Sequence, residues 1–120
     1  MINVVSMKEN IIETMCFNFS ISIIEFSEKL ESENKWVVAK QLLRSGTSIG
    51  ANVSEAQFAE SKKDFIHKLK IAAKEANEAS YWLSLCEKAD SYPRAGSLGD
   101  DILSIKKVLS KIISTSIKDN

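Results

Sequence analysis

An all-α domain, an up-down-up-down antiparallel four-helix bundle, is what this sequence predicts, and three observations predict it. Apolar residues recur at three- and four-residue spacing almost throughout the 120 positions, the periodicity of helices that pack on one face. Four Gly and one Pro are too few for the many turns of an all-β fold. Clusters of turn-forming residues divide the chain into four helical segments, expected at 7–31, 35–58, 62–89 and 98–116, with short connections between them. The length is that of a single domain covering 1–120.

In the first segment Ile12, Met15, Phe19, Ile23, Phe26 and Leu30 form one stripe. Ile11, Phe17, Ile21 and Ile24 add apolar surface beyond it, which predicts deep burial or a contact between subunits. Ser6 with Glu9 can cap its start, with Asn10 as a rival, and Glu31-Ser32-Glu33-Asn34 reads as the first turn.

The second segment carries the stripe Trp36, Ala39, Leu43, Gly46, Gly50 and Val53, which shrinks from bulky to small. Each interior glycine weakens a helix by about 1 kcal/mol relative to Ala, so an offsetting close approach of another helix is expected. The alternative is a kink between Arg44 and Gly50, where Ser45, Thr47 and Ser48 compete for backbone hydrogen bonds.

Ser61 and Asp64 open the third segment as a capping box, followed by the stripe Phe65, Leu69, Ala72, Ala76, Ala79, Leu83 and Cys86. Its small-residue middle is the expected partner of the two glycines. Asp90 to Gly96 holds the only proline and reads as a loop. Ser97 is placed as the cap of the fourth helix, whose stripe is Ile102, Ile105, Leu109 and Ile112, with Asp100 and Asp101 favourable to the macrodipole in its first turn.

The charge balance of 16 basic against 16 acidic residues excludes functions driven by a polybasic or acidic tail. Cys16 and Cys86 are seventy positions apart with no CxxC, which leaves no zinc motif and no redox pair. No secretory signal and no apolar run of about 20 residues is present, so the expectation is a cytoplasmic protein with free thiols and no membrane contact.

No constellation of catalytic, cofactor-binding or metal-ligating residues stands out. His67 is the only histidine, and a metal site needs more nitrogen or sulfur ligands. Gly46-Thr47-Ser48-Ile49-Gly50 lacks the order of a phosphate-binding loop. Glu28 with Glu31, and Glu75 with Glu78, read as solvated helix faces. Charge is nevertheless uneven: residues 1–33 hold two lysines and six glutamates, a net of −4, while residues 102–120 hold four lysines and one aspartate, a net of +3. Lys62, Lys63 and Lys70 with Lys106, Lys107 and Lys111 are therefore the expected phosphate-contacting residues. The competing reading is a solvated face whose lysines pair with the acidic first helix. Trp36, Tyr81, Trp82 and Tyr92 are available either as stacking platforms for bases or as core and interface anchors.

The run Leu42-Leu43-Arg44-Ser45-Gly46-Thr47-Ser48-Ile49-Gly50-Ala51-Asn52-Val53-Ser54-Glu55-Ala56 resembles the signature of a bacterial four-helix-bundle family. Its members were first noticed as reading frames inside intervening sequences of 23S ribosomal RNA genes. Ser61 to Leu69 and Glu78 to Leu83 are similar to the family's third helix, and Ala56 departs from the Gly that many members carry there. The resemblance implies a left-handed bundle assembled as a cyclic homopentamer. The chain is also similar to the accessory protein of diversity-generating retroelements, a basic pentamer that binds nucleic acid and a reverse transcriptase. These likenesses imply a non-enzymatic homo-oligomer that binds RNA, DNA or a nucleic-acid enzyme, or else a scaffold for protein contacts alone. Arg44, Gly46, Gly50, Asn52 and Glu55 are expected to serve structure, at helix or subunit junctions.

Overall fold

A computed structural model gives the fold, describing the backbone of residues 4–119 and the side chains of residues 11–119. The chain folds as four helices, α1 (Val4–Ser32), α2 (Trp36–Ala56), α3 (Lys62–Lys88) and α4 (Leu98–Lys118), with no strand among the described residues. Each helix packs on its neighbour in sequence and α4 returns to α1, so the four enclose one core in a rod of 49 × 22 × 19 Å. Two pairs of contacts set the direction of the first three helices. Gly46 lies against Ile23 and Gly50 against Cys16, which makes α1 and α2 antiparallel. Arg44 reaches Glu75 while Glu55 reaches Lys68, which does the same for α2 and α3. The α3–α4 connection lies at the end of the α1–α2 turn, for the Lys35 ammonium sits 4.9 Å from the Tyr92 ring centroid.

The helix ends follow from local chemistry. The Lys35 N–H donates to Leu30 O at 2.8 Å and the Asn34 N–H to Glu31 O at 2.9 Å, with Asn34 at φ 63°. That is a Schellman closure of α1, with asparagine accepting the left-handed position that glycine usually takes. At the start of α3 the Ser61 hydroxyl accepts the Asp64 N–H at 3.0 Å, and Asp64 reaches back to accept the Glu60 N–H at 3.2 Å. The box forms one residue wider than the reciprocal pattern, which ends on the cap's own N–H. Ser97 occupies the position before α4 but does not cap it: its hydroxyl donates to Asp101 Oδ2 at 3.1 Å instead. The α1 start points Ser6, Glu9 and Asn10 lie outside the described side chains, and the helix backbone already runs from Val4.

The loop before α4 is tied down. Arg94 Nη1 donates to Cys86 O at 2.7 Å and the Ala95 N–H to Glu87 Oε1 at 3.3 Å, while Gly96 takes φ +61°.

The stripes of α1, α3 and α4 are buried as expected, except that Met15 and Phe65 are half-buried and Cys16 joins the core. In α2 the stripe differs. The core takes Ala39, Leu42, Gly46, Ile49, Val53 and Ala56, while Trp36 and Leu43 face solvent and Gly50 sits at the boundary. No break interrupts α2, because the competing hydroxyls bond within the helix. Ser45, Thr47 and Ser48 each donate to the carbonyl four residues back, at 2.9, 2.6 and 2.6 Å.

The glycines also face a different helix from the one expected. A Cβ at Gly46 would lie 2.9 Å from both Cγ atoms of Ile23, and one at Gly50 would lie 3.2 Å from Cys16 Cβ, both on α1. The alanines of α3 are buried, but the atoms nearest to both glycines belong to α1. Side chains of α1 fill the space the glycines leave, which brings the two backbones together as small-to-small packing would.

Ile23 is fully buried and branched at Cβ, so it has nowhere to swing. Gly46→Ala is therefore expected to lower stability by about 1–3 kcal/mol in chemical denaturation, although alanine is the better helix former. Combining it with Ile23→Ala should show strong coupling, and Gly50→Leu should unfold or disassemble the protein. At the α1 terminus, Asn34→Ala should lower stability by about 1 kcal/mol while Asn34→Gly should not, as read from the same denaturation midpoints.

Candidate functional site

Five surface features stand out once the core is assigned: a polar seam between α2 and α3, two lysine-lined depressions, an apolar face on α1 and an exposed aromatic at the α2–α3 turn.

The seam is made by residues of the 42–56 motif. Arg44 pairs with Glu75 at 3.1 Å and also with Glu78, whose carboxylate accepts the Trp82 indole N–H at 3.1 Å. The hydrogen bonds from Arg44 and then Trp82 hold Glu78 below the usual carboxylate range. Glu55 meets Lys68 at 3.5 Å, and the Asn52 amide donates to Ser48 O at 2.9 Å within α2. Eleven residues apart, Arg44 and Glu55 thus both bridge to α3. The motif is two-sided, with glycines towards α1 and ions towards α3. Exposed pairs of this kind contribute up to about 1 kcal/mol each, enough to set register but not to hold the bundle alone.

The six lysines divide into two groups. Lys62, Lys63 and Lys70 line a shallow depression at the start of α3 together with Ile66 and His67. Lys106, Lys107 and Lys111 line another on α4 with Leu103, Ser110 and Ser114. Neither depression takes a residue from the other helix, so the lysines of α3 and those of α4 line different depressions on neighbouring helices. Among the described residues none of these six lysines makes an ion pair; only Arg44 and Lys68 do. The pairing of these lysines with the acidic first helix is not formed there. His67 is exposed and shares its depression with Lys62, Lys63 and Lys70.

The surplus apolar residues of α1 point outward. Ile11, Phe17, Ile21 and Ile24 are 52, 68, 45 and 44% exposed. Beside them Phe17 and Ser20 of α1 with Gly50, Ala51 and Ser54 of α2 line an open groove of about 470 Å³. Of the four aromatics considered from sequence, Trp36 and Tyr81 are exposed, Trp82 and Tyr92 half-buried, and Tyr81 meets Trp82 edge to face at 5.3 Å. Phe58, which no stripe or motif in the sequence singles out, is 85% exposed. A second helix reaching 58 makes it one more apolar helix residue, whereas α2 ends at Ala56 and leaves it on the turn. The available signal is the run Gln57 to Ser61, in which no helix start or core spacing claims it.

The two thiols and the acidic side chains are the remaining candidates for chemistry. Burial pushes the Cys16 thiol up to about 12 and raises that of Cys86, so neither offers a thiolate near neutral pH. Among the described residues no three His, Cys, Asp or Glu side chains gather where they could hold a metal ion. No described helix is long and apolar enough to cross a membrane.

Fold and surface together define an all-α four-helix bundle with an ion-clamped α2–α3 seam, lysine clusters without ion pairs among the described residues, and apolar side chains on the outer side of α1. A family model for the 23S rRNA-intervening sequence protein matches residues 8–111, and the chain belongs to that family. A solved structure from Bacteroides thetaiotaomicron, described as a protein of unknown function from the S23 ribosomal protein family, is similar. It is 44% identical, with a TM-score of 0.84, over 89% of this chain and 98% of that one. A comparison with curated proteins finds no match.

The buried Cys16 carries a pH dependence with a definite sign. Its folded value of about 12 lies above the unfolded value near 9, so the contribution is complete below pH 9 and lost as pH rises towards 12. Denaturation at about pH 8 and about pH 10.5 should show stability falling, with a shallower fall in Cys16→Ala. Equal slopes in the two proteins would contradict the assignment.

Proposed function

We propose that this protein is a non-enzymatic homo-oligomeric scaffold that binds RNA or DNA through its unpaired lysines. The observation that carries the reading is that Lys62, Lys63, Lys70, Lys106, Lys107 and Lys111 lack carboxylate partners among the described residues, although the chain has as many acids as bases. Local positive surface of this kind is what phosphates neutralise, and net charge alone conceals it.

Self-association rests on the α1 face. Phe17, Ile21 and Ile24 share one outward side of the helix over about 10 Å, with Ile11 exposed a quarter to a third of a turn round from them. A soluble monomer rarely leaves such a stripe open, and a second copy of the chain is the occupant proposed. The family resemblance implies a ring of five. A ring of that symmetry joins unlike faces, so the α1 stripe would meet a different surface of the next copy.

Fluorescence anisotropy with a labelled structured RNA and a single-stranded DNA, at low and near-physiological salt, tests the binding. Affinity should fall steeply as salt rises, since each lysine–phosphate contact releases a counterion. Reversing Lys106, Lys107 and Lys111 to Glu should weaken binding by about ten-fold or more and leave the assembled size unchanged. No binding even at low salt would favour the second reading, a scaffold for protein contacts through the α1 face.

A further inference from the structure

We infer that the α2–α3 turn is a single-strand binding tip, on which Phe58 stacks an unpaired base while Lys62, Lys63 and Lys70 hold the flanking phosphates. The inference rests on the nucleic-acid reading above and names the class of ligand, a strand with unstacked bases.

The turn combines features that are unfavourable without a ligand. Phe58 leaves 85% of its surface in water, more than any other large apolar side chain among the described residues. Lys62 and Lys63 open α3, where the positive end of the helix dipole disfavours cations, and Lys70 adds a third charge to the same depression. No carboxylate described pairs with any of them. Ile66 and His67 complete the lining of that depression, which sets an apolar side chain among the lysines.

The turn is held rather than loose. The Phe58 N–H donates to Glu55 O at 3.0 Å and the Ala59 N–H to Ala56 O at 3.1 Å, and the Ser61–Asp64 cap fixes the far side. Phe58 is four residues from Lys62, so their backbones are at most about 14 Å apart. A ligand of a few nucleotides spans that distance, within the usual site size of such proteins.

One ligand class answers both features. An aromatic face stacks on any unpaired base, whereas a duplex keeps its base faces covered, and the strand's phosphates supply the missing counter-charge. An anionic membrane also offers negative charge and an apolar layer. It has no aromatic faces on which Phe58 can stack, however, whereas every unpaired base of a strand offers one.

The test is anisotropy with a labelled oligothymidylate and with a blunt duplex of equal length, at low salt, on the full chain. The parent should bind the single strand more tightly than the duplex. Phe58→Ala should lower single-strand affinity about ten-fold and leave the duplex unchanged, and Phe58→Trp should restore it. Phe58 is exposed enough that its replacement leaves the core intact, which circular dichroism and assembled size check. If Phe58→Ala leaves single-strand affinity unchanged, or weakens both ligands equally, the stacking tip is wrong. The lysine reading then still stands if reversing Lys62, Lys63 and Lys70 abolishes binding. Loss of binding to phosphatidylserine vesicles in Phe58→Ala, without loss of oligothymidylate binding, overturns the proposal in favour of a membrane. If the parent binds no nucleic acid at all, both readings fall.

Discussion

The close approach of α2 to α1 at Gly46 and Gly50 is the constraint on which the rest of this structure depends. With no Cβ at either position, Ile23 and Cys16 fit directly against the α2 backbone, and the van der Waals contact offsets the flexibility that two mid-helix glycines bring. Because Ile23 and Cys16 turn inward to make that contact, Phe17, Ile21 and Ile24 turn outward. The packing of the core and the exposure of the α1 face are therefore one event. The opposite side of α2 then faces α3, where Arg44 and Glu55 fix register through exposed ion pairs that add specificity more than strength.

Charge distribution matters here in a way that net charge conceals. The described acids that form ion pairs do so with Arg44 and Lys68, on the α2–α3 seam, and none of them reaches the lysine clusters of α3 and α4. A neutral chain can thus present local positive potential at two places on its surface.

Much of the fold is legible in the sequence because α3 and α4 each have one clear apolar stripe and α1 has a continuous one, Ile12 to Leu30, despite its surplus apolar residues. The α2 stripe is not, for a physical reason: Leu42 sits beside Leu43 and Ile49 beside Gly50, so two stripes a helical step apart fit the pattern equally well. Tertiary packing selects the one through Leu42 and Ile49. The partner of the glycines is equally hidden, since α1 and α3 both offer surfaces that could approach, and only the assembled bundle distinguishes them. Ser97 reads as a cap because a serine stands shortly before two aspartates, yet Asp101 competes successfully for its hydroxyl. For the surface, residue type identifies the lysines, but neither their division into two clusters nor their lack of partners can be read from spacing. Phe58 is hidden by a helix boundary that periodicity places two residues too far.

The outward α1 stripe makes self-association the central claim, and native mass spectrometry of the purified chain at low micromolar concentration tests it most directly. The account predicts an assembly at a multiple of the 13.4 kDa chain, five-fold if the family resemblance holds, that collapses when Phe17 and Ile21 are replaced by Glu. A protein that remains a single 13.4 kDa species across that concentration range would contradict it.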